Sequence, residues 1–148
     1  MKNISAKIEP HIIETILLLD DCALNANIPF FLIGAGARDL NFTALFDIPT
    51  PRGTLDIDFA VRVTDWSQYE SLVAALLLSG NVRRDMKMSH RFVHKNGTLV
   101  DIIPFGALES PKGVISWPPA GDLVMSTVGF EDSFKSSEIV RIANNPIC

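Results

Sequence analysis

Asp56 and Asp58 stand two apart in Thr54-Leu55-Asp56-Ile57-Asp58-Phe59, and Asp101 interrupts the apolar run Leu99-Val100-Asp101-Ile102-Ile103. Both segments read as strands. Side chains alternate across a strand, so Asp56 and Asp58 point one way while Leu55, Ile57, Phe59, Val61 and Val63 form the opposite, buried face. If Asp101 reaches the same face from a neighbouring strand, the three acids make a compact oxygen-ligand set. Such a set suits Mg2+ or Mn2+, or two ions about 3.5–4 Å apart. A solvated strand face would account for the first pair. It accounts less well for Asp101, whose apolar neighbours make an unpaired buried carboxylate costly.

A second chemical feature is Gly34-Ala35-Gly36, set directly after Phe30-Phe31-Leu32-Ile33 and before a helical run through Arg38, Asp39 and Leu40. A strand entering a helix through small residues presents backbone N–H groups at the positive end of the helix dipole, where phosphates are held. A tight turn with no ligand is the structural alternative. The dinucleotide fingerprint Gly-x-Gly-x-x-Gly is a functional one, with Asp56 about 20 residues further on. Its third glycine is replaced by Asp39, and it predicts neither Asp58 nor Asp101. A phosphate cradle facing a carboxylate metal site is the pairing that nucleoside triphosphates need.

The elements that must position these residues are legible along the chain. Residues 9–26 have helical spacing with Pro10 in the first turn, and 30–33 form a buried strand. Residues 41–53 contain Pro49, Pro51 and Gly53 and read as mostly loop. Asp65-Trp66-Ser67-Gln68 caps a helix that ends at Gly80. Asn96-Gly97 joins 91–95 to 98–105 as a hairpin, so Asp101 lies on the second arm of an antiparallel pair. Residues 113–117 read as a short strand and 138–142 as an edge strand. One α/β (α+β) domain over 1–148 follows, a mixed β-sheet flanked by helices.

At 148 residues the chain is long enough for a core without staples. Its two cysteines, Cys22 and Cys148, fit a reducing compartment. With neither a signal-like N-terminus nor a membrane-length apolar run, a cytoplasmic protein away from the membrane is expected. Residues 83–95 gather Arg83, Arg84, Lys87, Arg91 and Lys95, with His90 and His94, against Asp85, in a chain of net charge −4. That segment is either a solvated edge or a phosphate- or RNA-binding patch. Trp117 reads either as a base-stacking platform or as a core aromatic. Walker A, Gly-x-Ser-x-Gly and His-Glu-x-x-His motifs do not occur.

Together, Gly34-Ala35-Gly36, Asp56-Ile57-Asp58 and Asp101 resemble the pattern of the polymerase-beta-like nucleotidyltransferase superfamily. More narrowly, Phe31 to Asp39, Asp56 to Phe59 and Val100-Asp101-Ile102-Ile103-Pro104-Phe105-Gly106 resemble the bacterial AbiEii/AbiGii toxin-type nucleotidyltransferases over about residues 28–134. The resemblance implies that superfamily's fold and a metal-dependent transfer of a nucleoside monophosphate from a nucleoside triphosphate to a hydroxyl on RNA, protein or a small molecule. It implies Asp56 and Asp58 as shared ligands of Mg2+ or Mn2+, with Asp101 as third carboxylate, acting on the acceptor hydroxyl or a second ion. Gly34, Ala35 and Gly36 would approach the triphosphate, Arg38 would steady phosphate charge or pair with a nearby acid, and Arg52 would be a further phosphate contact. Ala35 stands where the superfamily has Gly or Ser, which removes a hydroxyl contact. The chain is also shorter than such proteins, implying a short or truncated member, with an antitoxin or second copy as partner. The rival expectations are a noncatalytic nucleotide- or partner-binding module of the same fold and a Rossmann-type dinucleotide binder.

Overall fold

The computed structural model describes residues 1–48 and 56–148, so Arg52, Leu55 and the Pro49–Gly53 part of the expected loop lie outside the described residues. Helix α1, Pro10–Asn25, starts with proline in its first turn and buries Ile16, Leu19, Cys22 and Ala23. Strand β1 is Phe30–Ile33, and helix α2, Gly34–Leu40, follows it without a linker. Asn41–Leu45 continues as a π-helical turn, where a loop was expected. Proline and glycine occur only later in that segment, so nothing in these five residues interrupts a helix.

Strand β2 is Asp56–Val63, and helix α3 is Trp66–Leu78. The Asp65 side chain accepts from the Gln68 amide at 2.8 Å, and Gln68 Oε1 in turn accepts from the Thr64 amide at 2.8 Å. This reciprocal cap fixes where the helix begins. Strand β3, Val82–Arg84, was not anticipated; β4, Arg91–His94, and β5, Leu99–Gly106, form the hairpin. Strands β6, Val114–Ser116, and β7, Val124–Ser126, pair with each other ahead of helix α4, Phe130–Ser136. The expected edge strand near residue 140 instead pairs locally: β8, Val140–Ile142, and β9, Asn145–Ile147, make a separate two-stranded sheet.

The main sheet has the order β1-β2-β5-β4-β3. Its central pair, β2 and β5, is parallel, and the other neighbours are antiparallel. Because α2 links two antiparallel neighbours rather than a parallel crossover pair, the glycine turn does not belong to a Rossmann βαβ unit.

One sheet face carries Ile57, Phe59, Val61 and Val63 with Phe92, Val100 and Ile102, packed under Ile16 and Leu19 of α1 and Leu72, Val73 and Leu76 of α3. Each such side chain contributes about 1.5–3 kcal/mol by leaving water. Tyr69 donates its hydroxyl to the Ile102 carbonyl at 2.9 Å and so ties α3 to β5. The other face is divided. At one end Phe31, Ala60 and Phe105 are buried against Phe130 and Phe134 of α4. At the other end the same strands present the acids.

Candidate active site

In the parallel register of β2 and β5, Asp58 lies directly opposite Asp101, and Asp56 lies opposite Leu99. Antiparallel pairing extends that row, with Ile33 beside Asp58 and Arg91 beside Asp101. Four strands therefore bring Ile33, Asp58, Asp101 and Arg91 into one line across the sheet. Positions 56, 58 and 101 all lie on the face opposite the α1/α3 core.

The glycine turn closes on the same point. Gly34 has φ +72, and a Cβ built on it would lie 2.4 Å from Asp58 Oδ2. Only a residue without a Cβ allows this approach, and only glycine adopts that backbone freely. Gly36 lies over the backbone of Asp56, its built Cβ 3.7 Å from that carbonyl oxygen. Ala35 sits between them in the first turn of α2. Arg38 points elsewhere, pairing with Asp39 at 3.1 Å and lining a groove with Leu40, Phe42 and Phe46. Of its two expected roles, pairing with a nearby acid is the one seen, with Asp39 as that acid.

The charge balance at the acids is set by Arg91, which sequence reasoning placed in a basic patch rather than here. Arg91 donates Nε to Asp101 Oδ1 at 2.8 Å and Nη2 to Asp101 Oδ2 at 2.9 Å, a fork against a nearly buried carboxylate. The same Nη2 lies 4.0 Å from Asp56 Oδ2. Burial, followed by the charges of Asp101 and Asp56, pushes the Asp58 carboxyl above its ordinary value; Arg91 offsets part of this, and a hydrogen bond with Asp101 adds to it. The hydrogen bonds to Asp101 in turn hold the guanidinium firmly charged.

His90 also lies near Asp101, with Nε2 3.8 Å from Oδ2. Its Nδ1 is buried with no hydrogen-bond partner among the described residues. Its ring lies 6.0 Å from that of Trp117, which is buried against Trp66 and Tyr69, so the core reading of this tryptophan is the one realised. His94 is buried in the hairpin and accepts at Nδ1 from the Asn96 amide at 3.1 Å. The basic segment is dispersed: Arg84 pairs with Glu70 at 3.0 Å and covers the Phe92 ring, while Arg91 turns into the acids.

As the side chains stand, no group of three His, Cys, Asp or Glu residues among those described is gathered to hold a metal ion. The donor set is nevertheless one that a hard divalent cation takes, carboxylate oxygens borne on rigid strands. Both oxygens of Asp101 are engaged by Arg91, so a cation already occupies part of the coordination space.

No protein-family model and no curated protein matches the sequence. Among solved structures, the antibiotic-resistance factor ANT(2'')-Ia is similar over 95% of this chain and 65% of its own, with 16% identity and a TM-score of 0.53. The complex of ANT(2'')-Ia with adenylyl-2''-tobramycin gives 18% identity, coverage of 93% and 67%, and a TM-score of 0.48. The Thermotoga maritima CCA-adding enzyme complexed with tRNA gives 19% identity, coverage of 90% and 34%, and a TM-score of 0.45. The chain has the polymerase-beta-like nucleotidyltransferase fold, a mixed sheet with helices packed on it. It spans 65% of the length of the first of these proteins. Among the described residues, no helix is long and apolar enough to cross a membrane.

Proposed function

We propose that this protein is a metal-dependent nucleotidyltransferase, moving a nucleoside monophosphate from a nucleoside triphosphate to an acceptor hydroxyl and releasing pyrophosphate. The observation that carries this reading is the meeting of Asp58 and Asp101 on adjacent parallel strands, with Gly34 packed on the Asp58 carboxylate. Asp56, Asp58 and Asp101 would hold Mg2+ or Mn2+. When bound, the ion would supply charge neutralisation at the phosphate oxygens and a template for in-line displacement.

The remaining work falls to the chain's own groups. Asp56 and Asp58 project from one strand, so their spacing is fixed before substrate arrives. The turn Gly34-Ala35-Gly36 itself carries no side chain larger than a methyl, which leaves phosphates room to approach an ion held by those carboxylates. In the transfer, the acceptor oxygen forms a bond to the α-phosphorus as the bond from that phosphorus to the bridging oxygen breaks. Asp101 would take the acceptor's proton or hold a second ion that activates the hydroxyl, and pyrophosphate carries the displaced electron pair away. ATP is the first triphosphate to try, and Arg52 is retained as a phosphate contact on sequence grounds alone.

The acceptor is an RNA, a protein or a small molecule. ANT(2'')-Ia has been seen in complex with adenylyl-2''-tobramycin and the CCA-adding enzyme in complex with tRNA. The finer assignment, to an AbiEii/AbiGii-type toxin with an antitoxin or second copy as partner, rests on the sequence motifs. Its setting would be the cytoplasm. A second reading, a noncatalytic nucleotide-binding module, draws on one observation: the fork of Arg91 on Asp101.

Incubation with each α-labelled triphosphate, Mg2+ or Mn2+, and cell extract distinguishes the two. The enzyme reading expects label on an acceptor, lost in Asp56→Asn. Binding by calorimetry with no transfer under any triphosphate would instead support the module.

A further inference from the structure

Arg91 is the feature that the proposed chemistry leaves unused. Its guanidinium takes both oxygens of Asp101 at 2.8 and 2.9 Å, and one of its nitrogens reaches to 4.0 Å from Asp56 Oδ2. Its side chain retains 21% of its exposure, and that of Asp101 retains 12%, so the pair is shielded but open on one side. A divalent ion ligated by Asp101 requires one of two oxygens, each of which already accepts a charge-assisted bond from Arg91. Two cations cannot share that carboxylate without repulsion in a partly dehydrated setting.

We propose that Arg91 is a resident counter-cation, which a divalent ion must displace from Asp101 and which thereby sets the threshold for metal occupancy. This rests on the nucleotidyltransferase reading of the three acids. Without an ion, Arg91 holds Asp101 in place and offsets the mutual repulsion of Asp56, Asp58 and Asp101. When an ion enters, the fork opens and the guanidinium is released. Arg91 is thus a positioning residue acting through Asp101.

Two measurements test this without recourse to turnover. The first is Mn2+ binding, followed by the electron paramagnetic resonance of the free ion, in the wild-type chain, Arg91→Gln, Arg91→Lys and Asp58→Asn. We expect Arg91→Gln to bind Mn2+ at least about tenfold more tightly than wild type, Arg91→Lys to lie between them, and Asp58→Asn to bind weakly. Equal or weaker binding by Arg91→Gln, with Asp58→Asn still impaired, would overturn the proposal and leave the metal site standing. Failure of wild type, Arg91→Gln and Arg91→Lys all to bind Mn2+ would overturn both.

The second measurement needs no variant. In the wild-type protein, the Arg91 Nε–H resonance, held by Asp101, should move towards the positions and exchange rates of free arginines as Mg2+ is added. A resonance unmoved while the Asp56 and Asp58 amides titrate would overturn displacement.

Discussion

Gly34 packs on Asp58 so closely that a Cβ at position 34 would fall 2.4 Å from the carboxylate's Oδ2. The start of α2 and the acid-bearing strand β2 are therefore fitted to one another by the absence of a side chain. At φ +72 an alanine would also be strained in its backbone, at about 1–3 kcal/mol. Gly34→Ala should lower stability by that order in denaturant titration and reduce label transfer by about 10²-fold through the displaced Asp58. Unchanged transfer would show that the contact does not position the acid.

The position of Asp58 carries a cost to folding. Burial and the neighbouring charges of Asp101 and Asp56 act against its ionised form. Asp58→Asn should accordingly abolish transfer while stabilising the protein by about 1 kcal/mol at neutral pH. Thermal unfolding checks the second part; a lower Tm in the variant would mean that Arg91 already compensates the charge in full.

The sequence made the acid pair legible because strand alternation is rigid, and it made the glycine turn legible because no bulky residue interrupts it. It did not reveal Arg91, and the reason is one residue of register. A two-residue Asn96-Gly97 turn would set Phe92 opposite Asp101. The chain instead closes through Lys95-Asn96-Gly97, with Gly97 at φ +92 and the His94 amide bonded to the Thr98 carbonyl, which sets Arg91 there. Strand β3 escaped notice because three residues, two of them arginine, carry no alternating pattern. The hairpin of β8 and β9 was hidden by Pro146, which its local two-stranded sheet tolerates.

Glu109 ties together the chain after β5. It accepts from the Gly106 amide at 3.2 Å, the Gly113 amide at 2.9 Å and the Thr127 hydroxyl at 2.8 Å. Partial burial raises its pKa, but these bonds and Lys112 outweigh that and leave it below the ordinary glutamate value. A depressed folded pKa means that the unfolded chain binds more protons, so the stabilisation is present above the unfolded value of about 4.5 and is lost as pH falls through the folded one. Glu109→Gln should destabilise modestly at pH 7, by about 1 kcal/mol or less because the partly exposed carboxylate is screened by solvent, and by less at pH 3. Denaturant midpoints across that range decide it, and a pH-independent difference would contradict the charge argument.

His94 titrates in the same sense but in a higher window. It is 2% exposed, and burial pushes its imidazole below the ordinary histidine value, against the opposing charge of Glu14. Its Nδ1 accepts from Asn96, which needs that nitrogen unprotonated. Stability should be complete above the unfolded pKa of about 6.5 and decline as pH falls through the depressed folded value. In His94→Gln that decline below pH 6.5 should disappear; its persistence would assign it elsewhere.

The most direct test of the central claim is anomalous scattering from crystals grown with Mn2+ and a nonhydrolysable triphosphate. We predict a peak about 2.0–2.4 Å from carboxylate oxygens of Asp56 and Asp58, phosphates alongside Gly34 and Gly36, and Arg91 no longer forked on Asp101. Saturating ion and nucleotide that leave those carboxylates unligated, with Arg91 still seated on Asp101, would contradict the account.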